Sequence, residues 1–405
     1  MRLCYSQKLG ITLLLINASI NIAFSLYTPY TTAYYTKSGL NALQIGILLT
    51  IGPLVAIIIQ PIWAILSDRT GRRKDVLSLI VLGSALSMLS FYIGHTFWTF
   101  FIAATLVAVF TYSIVPLNDA ITLRYASKYH LDFSRIRMGG TIGFAVVVVI
   151  SGAIVKLHPS WQFAMGFLGY MMLLFFVRKH PKDEQDEPSD TLTDLPGQTQ
   201  SNGKKGLLHI FESKQVYFML AFAFISQTGL SFHGGFIGVY MTKLGFTEGT
   251  IGVVNSICAL SELPVLFFIN KALRKFSSTN IILFSSLLLG VRIFLVTGGN
   301  LGFIIASQLL NGLTYMTIYF CCAVYISNNV KKENQSKGQS VLTIIQAGLG
   351  SIVGNIVGGY LVDNFGLKMA YFYMSILIIT VSLLIAFLQF FYQRTQNKKA
   401  LAEQA

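Results

Sequence analysis

One kind of segment recurs along the whole sequence: an apolar run long enough to form a helix that crosses a bilayer. Such a helix needs about 20 mostly apolar residues to span the hydrocarbon core. The runs occupy residues 10–33, 42–66, 76–94, 98–123, 138–156, 161–177, 216–240, 250–270, 280–297, 301–327, 339–362 and 369–392. The sequence therefore predicts an all-α membrane protein with twelve transmembrane helices, six on each side of one long polar segment.

The composition excludes the soluble classes of protein. Of the 405 residues, 54% are hydrophobic and 11% are charged, whereas soluble proteins carry about 25% charged residues. A soluble chain would have no interior for so much apolar surface, so a soluble enzyme, a nucleic-acid-binding protein and a disordered protein are excluded for the whole chain. The four cysteines show no metal-ligand spacing, and we expect neither a metal site nor a disulfide framework.

The positions of the basic residues predict the orientation in the membrane. Lys and Arg number 30 against 16 Asp and Glu, which gives a net charge of +14. Nearly all of these cations fall in alternate segments, beginning with the amino terminus, and the exceptions are Lys37, Lys156, Lys243, Lys368 and the membrane-embedded Arg292. Because cytoplasmic segments are enriched in Lys and Arg, we expect a plasma-membrane protein with both termini cytoplasmic. This asymmetry accounts for the basic excess, so no nucleic-acid partner is expected.

The long polar segment divides the chain. It contains the sequence KHPKDEQDEPSDTLTDLPGQTQSNGKK, which has almost nothing to bury. We expect an N-terminal six-helix half over residues 1–178, a cytoplasmic linker over 179–214 and a C-terminal six-helix half over 215–405. A regulatory docking segment is the alternative to a plain linker. Two six-helix halves are the architecture of transporters that rock about a site near the bilayer midplane.

The short loop between the second and third runs carries a recognisable motif. It reads AILSDRTGRRKDVL and resembles the Gly-x-x-x-Asp-Arg-x-Gly-Arg-Arg/Lys signature of the major facilitator superfamily, with Ala64 in place of the first glycine. In that family the loop latches the cytoplasmic side closed, so the resemblance implies the major facilitator fold and a gating loop. The matching residues are Asp68, Arg69, Gly71, Arg72 and Arg73. A basic loop required by topology alone is the alternative.

A few charged side chains lie inside the apolar runs or, for Arg137, at the start of one. The acids are Asp119 and Glu262, the bases are Arg137 and Arg292, and His233 is the one histidine placed within a run. A charge within a membrane span costs several kcal/mol and is by default a hypothesis of function. These groups either pair across a cavity and hold a polar substrate, or form fixed structural ion pairs.

The region around Arg137 resembles the lactose permease branch of the superfamily. The run LDFSRIRMGGTIGFA, with Asp119 eighteen residues before Arg137, matches that branch's fifth-helix motif and its fourth-helix acid. The resemblance implies that Arg137 and Asp119 bind a sugar and that Phe144 supplies the stacking ring. SELPVLFF around Glu262 and LLLGVRIF around Arg292 fit the same branch.

The tenth run departs from lactose permease. Gln308, Asn311 and Thr314 stand where that permease has a lysine, a histidine and a glutamate for proton coupling. The phrase QLLNGLTY resembles instead a neighbouring branch that includes phenylpropionate permease-like and nucleoside–proton symporter-like proteins. We expect Gln308 and Asn311 to contact substrate.

An acid can carry the coupling proton if substrate takes over its arginine partner during the cycle. The candidates are Glu262 with Arg292 and Asp119 with Arg137. His233 is a third candidate, and a histidine that is hydrogen-bonded within a polar patch is its alternative interpretation.

Two further sets of residues point to helix contacts. Polar residues predicted either to line the cavity or to form interhelical hydrogen bonds are Asn17, Asn21, Gln227, Gln308 and Asn311. The eleventh run has a face of small residues, which allows helices to approach closely and forms either a fixed packing contact or a sliding surface. Its members are Gly350, Gly354 and Gly358.

Taken together, these patterns predict a proton-coupled transporter that imports a small polar organic solute by alternating access. A sugar or glycoside is the first choice, followed by a nucleoside or an aromatic acid. The expected partners are the solute, protons and the lipid bilayer; the expected protein is a monomer driven by the proton gradient, with no cofactor. A drug or metabolite exporter and a non-transporting membrane sensor are the alternatives. No ATP-binding loop or catalytic set of residues is apparent, and we expect no enzyme activity.

Overall fold

The protein is represented by a computed structural model that describes residues 5–179, 215–330 and 334–404, in which every regular element is a helix. The predicted linker, residues 179–214, lies outside the described residues apart from Lys179. The helices before it are α1 Tyr5–Ser25, α2 Thr28–Lys37, α3 Ala42–Thr70, α4 Arg73–Met88, α5 Phe97–Thr111, α6 Ile114–Tyr129, α7 Phe133–Val155 and α8 Trp161–Lys179. Those after it are α9 Gln215–Lys243, α10 Glu248–Leu260, α11 Glu262–Lys275, α12 Ser278–Val296, α13 Leu301–Leu309, α14 Thr317–Asn329, α15 Gln335–Thr343 and α16 Ser351–Gln404.

Eleven helical stretches in the described ranges are long and apolar enough to cross a membrane. The first ten predicted runs each overlap one of these stretches. The eleventh and twelfth both fall within the last stretch, Lys337–Thr395, where Gly366 has a non-helical backbone with φ of 78°. The all-α membrane class is therefore confirmed, and the protein passes the membrane several times. The count of twelve and the pseudo-symmetric halves stay predictions.

The described chain forms two compact units. The first contains residues 5–179 together with 235–260, and the second contains residues 215–234 together with 261–404. Helix α9 contributes residues to both units. The halves predicted at 1–178 and 215–405 stay a prediction.

In the first unit, α7 is the central helix and packs against α1 and α10. Glycines make the close approach possible: a Cβ atom at Gly140 would collide with Asn21 of α1, and one at Gly252 would meet the Val148 carbonyl. The Ser256 hydroxyl of α10 also donates to the α7 backbone, 2.7 Å from the Ala145 oxygen. Small residues and interhelical hydrogen bonds thus hold these helices together, as expected in lipid.

An ion pair between Lys37 and Glu248 joins the end of α2 to the start of α10. Glu248 is 4% exposed, whereas the Lys37 side chain is 43% exposed. This pair was not singled out from the sequence, because both residues lie outside the apolar runs. The pair belongs to the first unit and lies outside the predicted substrate site.

The predicted fourth span is interrupted between α5 and α6. Pro116 has no N–H, so the Tyr112 carbonyl four residues earlier loses its helical donor. The Gln60 amide of α3 donates to this carbonyl at 2.9 Å, and the Trp63 indole N–H donates to the nearby Val109 carbonyl at 2.9 Å. Side chains of α3 therefore stabilise the break that precedes Asp119.

A comparable break separates α10 from α11 in the predicted eighth span. Pro264 removes the donor for the Leu260 carbonyl, and α11 begins at Glu262. Ser261 at the break accepts a hydrogen bond on its hydroxyl from the Gly312 N–H, at 3.1 Å. Each membrane acid thus lies within three residues of a proline.

The glycines of the eleventh predicted run pack against α9 in the second unit. A Cβ atom at Gly354 would collide with the Thr228 backbone, and one at Gly350 would lie about 3.0 Å from the Phe224 carbonyl oxygen. The packing interpretation is confirmed for these two glycines. A sliding surface stays a prediction.

Candidate functional site

In the first unit, Asp119 of α6 and Arg137 of α7 form an ion pair. Arg137 Nη1 lies 3.6 Å from Asp119 Oδ2, with side-chain exposures of 54% for the arginine and 22% for the aspartate. The structure thus brings together the two residues that the sequence paired. Because the guanidinium is half exposed, several of its N–H groups have room for another acceptor.

Phe144 lies on α7 seven residues after Arg137, which is about two helical turns and places both on one helix face. Its side chain is half-buried. Asn17 and Asn21 of α1 donate to carbonyl oxygens of their own helix, at 3.1 and 3.0 Å. The amide nitrogens of Asn17 and Asn21 therefore form hydrogen bonds within α1, and not the interhelical bonds that were one of their predicted roles.

The second unit buries Arg292 in a polar network between helices. Arg292 of α12 is 2% exposed and donates to the Thr314 hydroxyl and the Gln308 amide oxygen, both at 3.0 Å. The Gln308 amide nitrogen lies 3.3 Å from Nε2 of His233, which belongs to α9. Three predicted site residues are thus in direct contact. Thr314 is an additional partner that was not among the predicted site residues.

Glu262 is hydrogen-bonded to Asn311, the second site residue predicted in the tenth span. Asn311 donates its amide to Glu262 Oε1 at 2.9 Å. Asn311 directly precedes a π-helical segment, Gly312–Met316, which contains Thr314. Single π-helical turns occur often at functional sites, and here the segment connects the partners of Glu262 and Arg292.

The remaining polar candidate, Gln227, forms an interhelical contact. Its amide donates to Ser231 at 3.0 Å and to Ser351 at 3.1 Å, and Ser231 donates to Ser351 at 2.9 Å. This triad joins α9 to α16 in the second unit. It supports the hydrogen-bond interpretation of Gln227.

The motif loop between α3 and α4 is a tight turn with an internal ion pair. Gly71 has φ of 62°, a left-handed conformation that favours glycine, and its N–H donates to the Asp68 carbonyl. The Arg73 guanidinium lies 3.3 Å from Asp68 Oδ1 and is largely buried. Arg69 and Arg72 are exposed. The gating role of this loop stays a prediction.

A recess of about 550 Å³ lies between α7 and the start of α10 in the first unit. It is open and is lined mainly by small and aliphatic residues with one cation, Lys156. The predicted substrate residues do not line it. We therefore take the charged cluster of each unit as a candidate site, because the polar chemistry is concentrated there.

The two clusters offer different chemistry. Asp119 and Arg137 present a carboxylate acceptor and a planar set of donors, which suits vicinal hydroxyl groups. The second cluster consists of one acid and one base held by the neutral side chains of Asn311, Gln308 and Thr314. Each cluster contains one acid and one base, and this balance favours an uncharged polar ligand over an ionic one.

Comparisons with known proteins agree with the helical architecture. A model of the MFS_1-like family matches residues 8–398. Uncharacterised transporter YwbF of Bacillus subtilis (strain 168) is 25% identical over 361 residues, which cover 86% of each chain. The maltose permease of Geobacillus stearothermophilus is 22% identical over 359 residues, covering 88% of this chain and 89% of the permease. The crystal structure of nucleoside transporter NupG shares the fold, with a TM-score of 0.80 at 15% identity over 94% of this chain and 99% of NupG.

Proposed function

The chain belongs to the MFS_1-like family of membrane transporters, and from this premise we propose that it is a proton-coupled importer of a small, uncharged polar solute. Its relatives are transporters and not enzymes, and the chain is accordingly a transporter. The proposal adds the solute class, the coupling ion and the direction. It further places the protein in the plasma membrane as a monomer with both termini cytoplasmic.

The Asp119–Arg137 pair is the observation that carries the proposal. It lies in the membrane, it is partly open, and its two charges cancel. A carboxylate beside an arginine fork offers acceptors and donors to hydroxyl groups. The ring of Phe144, on the same face of α7, offers an apolar surface to a pyranose or a base.

A sugar or glycoside is the first solute class, supported by the similarity to a maltose permease. A nucleoside is the second, because the fold is that of a nucleoside transporter. An aromatic acid comes third, because its carboxylate would add a negative charge to a site whose own charges balance.

We assign the coupling proton to Glu262, with Arg292 as the group that alters its environment. Asp119 with Arg137 is the alternative carrier, and His233 is the third. The energy comes from the proton gradient and requires no cofactor. The turn formed by Asp68, Arg69, Gly71, Arg72 and Arg73 closes the cytoplasmic side during the cycle.

Solute-driven proton movement into proteoliposomes tests this function. The full-length protein is reconstituted with a pH-sensitive dye inside, and maltose, uridine, 3-phenylpropionate or ethidium is added outside. We expect the lumen to acidify with maltose or, as the second choice, with uridine. Asp119→Asn is expected to reduce the initial rate at least tenfold, because it removes the carboxylate charge from the pair.

Asp132→Asn is the matched control. Asp132 is a half-exposed acid that pairs with Arg135 at the start of α7, outside the cluster, and its variant should move protons at the wild-type rate. Proton movement with ethidium alone would favour the exporter alternative. Solute binding without any flux would favour the sensor alternative. Equal rates in Asp119→Asn and wild type would exclude Asp119 from the site.

A further inference from the structure

We infer that His233 supplies a specificity-determining hydrogen-bond donor, Nδ1–H, which binds a hydroxyl or carbonyl oxygen of the transported solute. This inference rests on the proposed function and assigns His233 a different role from proton carriage. It is carried by the hydrogen-bond directions within the buried network of the second unit.

Those directions follow from the chemistry of Arg292. A guanidinium can only donate, so the Gln308 atom 3.0 Å from Arg292 Nη2 is the amide oxygen. The other atom of the amide is then the nitrogen, which can only donate, and it lies 3.3 Å from His233 Nε2. Nε2 must therefore accept and carry no proton. The contact with Arg292 thus determines the orientation of the Gln308 amide, and through it the tautomer of His233.

A histidine without a proton on Nε2 carries its proton on Nδ1. The residue is 2% exposed, and Nδ1 has no hydrogen-bond acceptor among the described residues. Buried donors are nearly always paired, because an unpaired one loses its hydration without compensation. Among the residues that the structure describes, this oriented donor therefore lacks an acceptor.

The position of this donor connects it to the rest of the candidate site. His233 contacts Gln308, and Gln308 lies three residues, or about one helical turn, before Asn311, which binds Glu262. The donor is uncharged and needs no anionic partner, so a hydroxyl or carbonyl oxygen is sufficient to pair it. Sugars and nucleosides, the solute classes proposed above, carry such oxygens.

A purely structural histidine is the competing explanation, and two substitutions distinguish the roles. Asn places an amide atom two bonds from Cβ, as Nδ1 is, and His233→Asn keeps the donor while losing the contact with Gln308. Gln places its terminal atoms three bonds from Cβ, as Nε2 is, and His233→Gln keeps the contact while losing the donor. The structural role predicts that only His233→Gln is tolerated.

The experiment measures equilibrium binding of radiolabelled maltose to the full chain in lipid nanodiscs, with uridine as the second probe. We expect His233→Asn to bind within about twofold of wild type. His233→Gln should bind about tenfold more weakly, which corresponds to about 1.4 kcal/mol. The opposite ranking, or equal affinity in both variants, would overturn the inference while leaving the proposed function intact.

Nitrogen-15 NMR of histidine-labelled protein tests the tautomer without any solute. The His233 signals are assigned by their loss in His233→Gln. We expect a protonated Nδ1 and an unprotonated Nε2, and a shift of the Nδ1 signal on addition of the probe that binds. A protonated Nε2 would overturn the inference. Failure of wild type to bind or transport any member of the panel would instead contradict the proposed function.

Discussion

At the scale of single residues, the two membrane arginines have different surroundings. The Arg137 side chain is half exposed and lies beside the Asp119 carboxylate, whereas Arg292 is buried and its contacts include the Thr314 hydroxyl and the Gln308 amide oxygen. A planar guanidinium binds a carboxylate and a second acceptor with several donors at once, and an ammonium group cannot reproduce this arrangement. Arg137 therefore has the environment of a ligand-binding group, and Arg292 that of an internal organiser.

Replacement of Arg137 by Lys tests this distinction. The charge is kept but the fork is lost, so we expect maltose affinity to fall about tenfold, which corresponds to about 1.4 kcal/mol. Isothermal titration calorimetry in detergent measures the change. Arg135→Lys is the control, because Arg135 is 84% exposed and pairs with Asp132 outside the site. Equal affinities in the two variants would show that Arg137 acts only through its charge.

The charged residues of the site were predictable, but some of their partners were not. A charge inside an apolar run is costly and is therefore conspicuous in a sequence. The partner of a side chain depends on how its helix is rotated, which hydropathy does not encode. Gln308 and Asn311 were expected to contact substrate, and in the structure they also hydrogen-bond to Arg292 and Glu262, respectively.

At the scale of helices, close packing between α9 and α16 depends on glycine. We expect Gly354→Ala to destabilise the protein by about 1–3 kcal/mol, because the added methyl group would collide with the α9 backbone at Thr228. Thermal unfolding in detergent, followed by circular dichroism, measures the effect as a lower melting temperature.

Gly234→Ala is the matched control for that substitution. Gly234 lies on α9 and has open space where a Cβ atom would be placed, so its variant should melt at or above the wild-type temperature. A melting temperature for Gly354→Ala that equals that of Gly234→Ala would show that the helices do not need this close approach.

The spans themselves were readable from the sequence, because the thickness of the bilayer sets the length of each apolar run. The breaks in the fourth and eighth spans could be predicted in part from the sequence, because Pro116 and Pro264 remove helical donors close to Asp119 and Glu262. The side chains that compensate for one break, Gln60 and Trp63, come from another helix. The π-helical turn at Gly312–Met316 has no comparable sequence signal.

At the scale of the whole molecule, each compact unit contains one of the two sets of acid and arginine singled out above. Asp119 and Arg137 belong to the first unit, and Glu262 and Arg292 to the second. We assign solute binding mainly to the first pair and proton binding to the second. Coupled transport requires both, because solute flux without proton flux would not accumulate the solute.

Glu262→Gln provides the most direct test of this central claim. The amide keeps an oxygen that can accept from Asn311, but it cannot take up a proton. Uptake of labelled maltose is measured in two kinds of proteoliposome, one preloaded with unlabelled maltose and one with an imposed proton gradient. Asp132→Asn serves again as the control. We expect Glu262→Gln to retain exchange with preloaded maltose and to lose gradient-driven accumulation, whereas full accumulation in this variant would exclude Glu262 as the proton carrier.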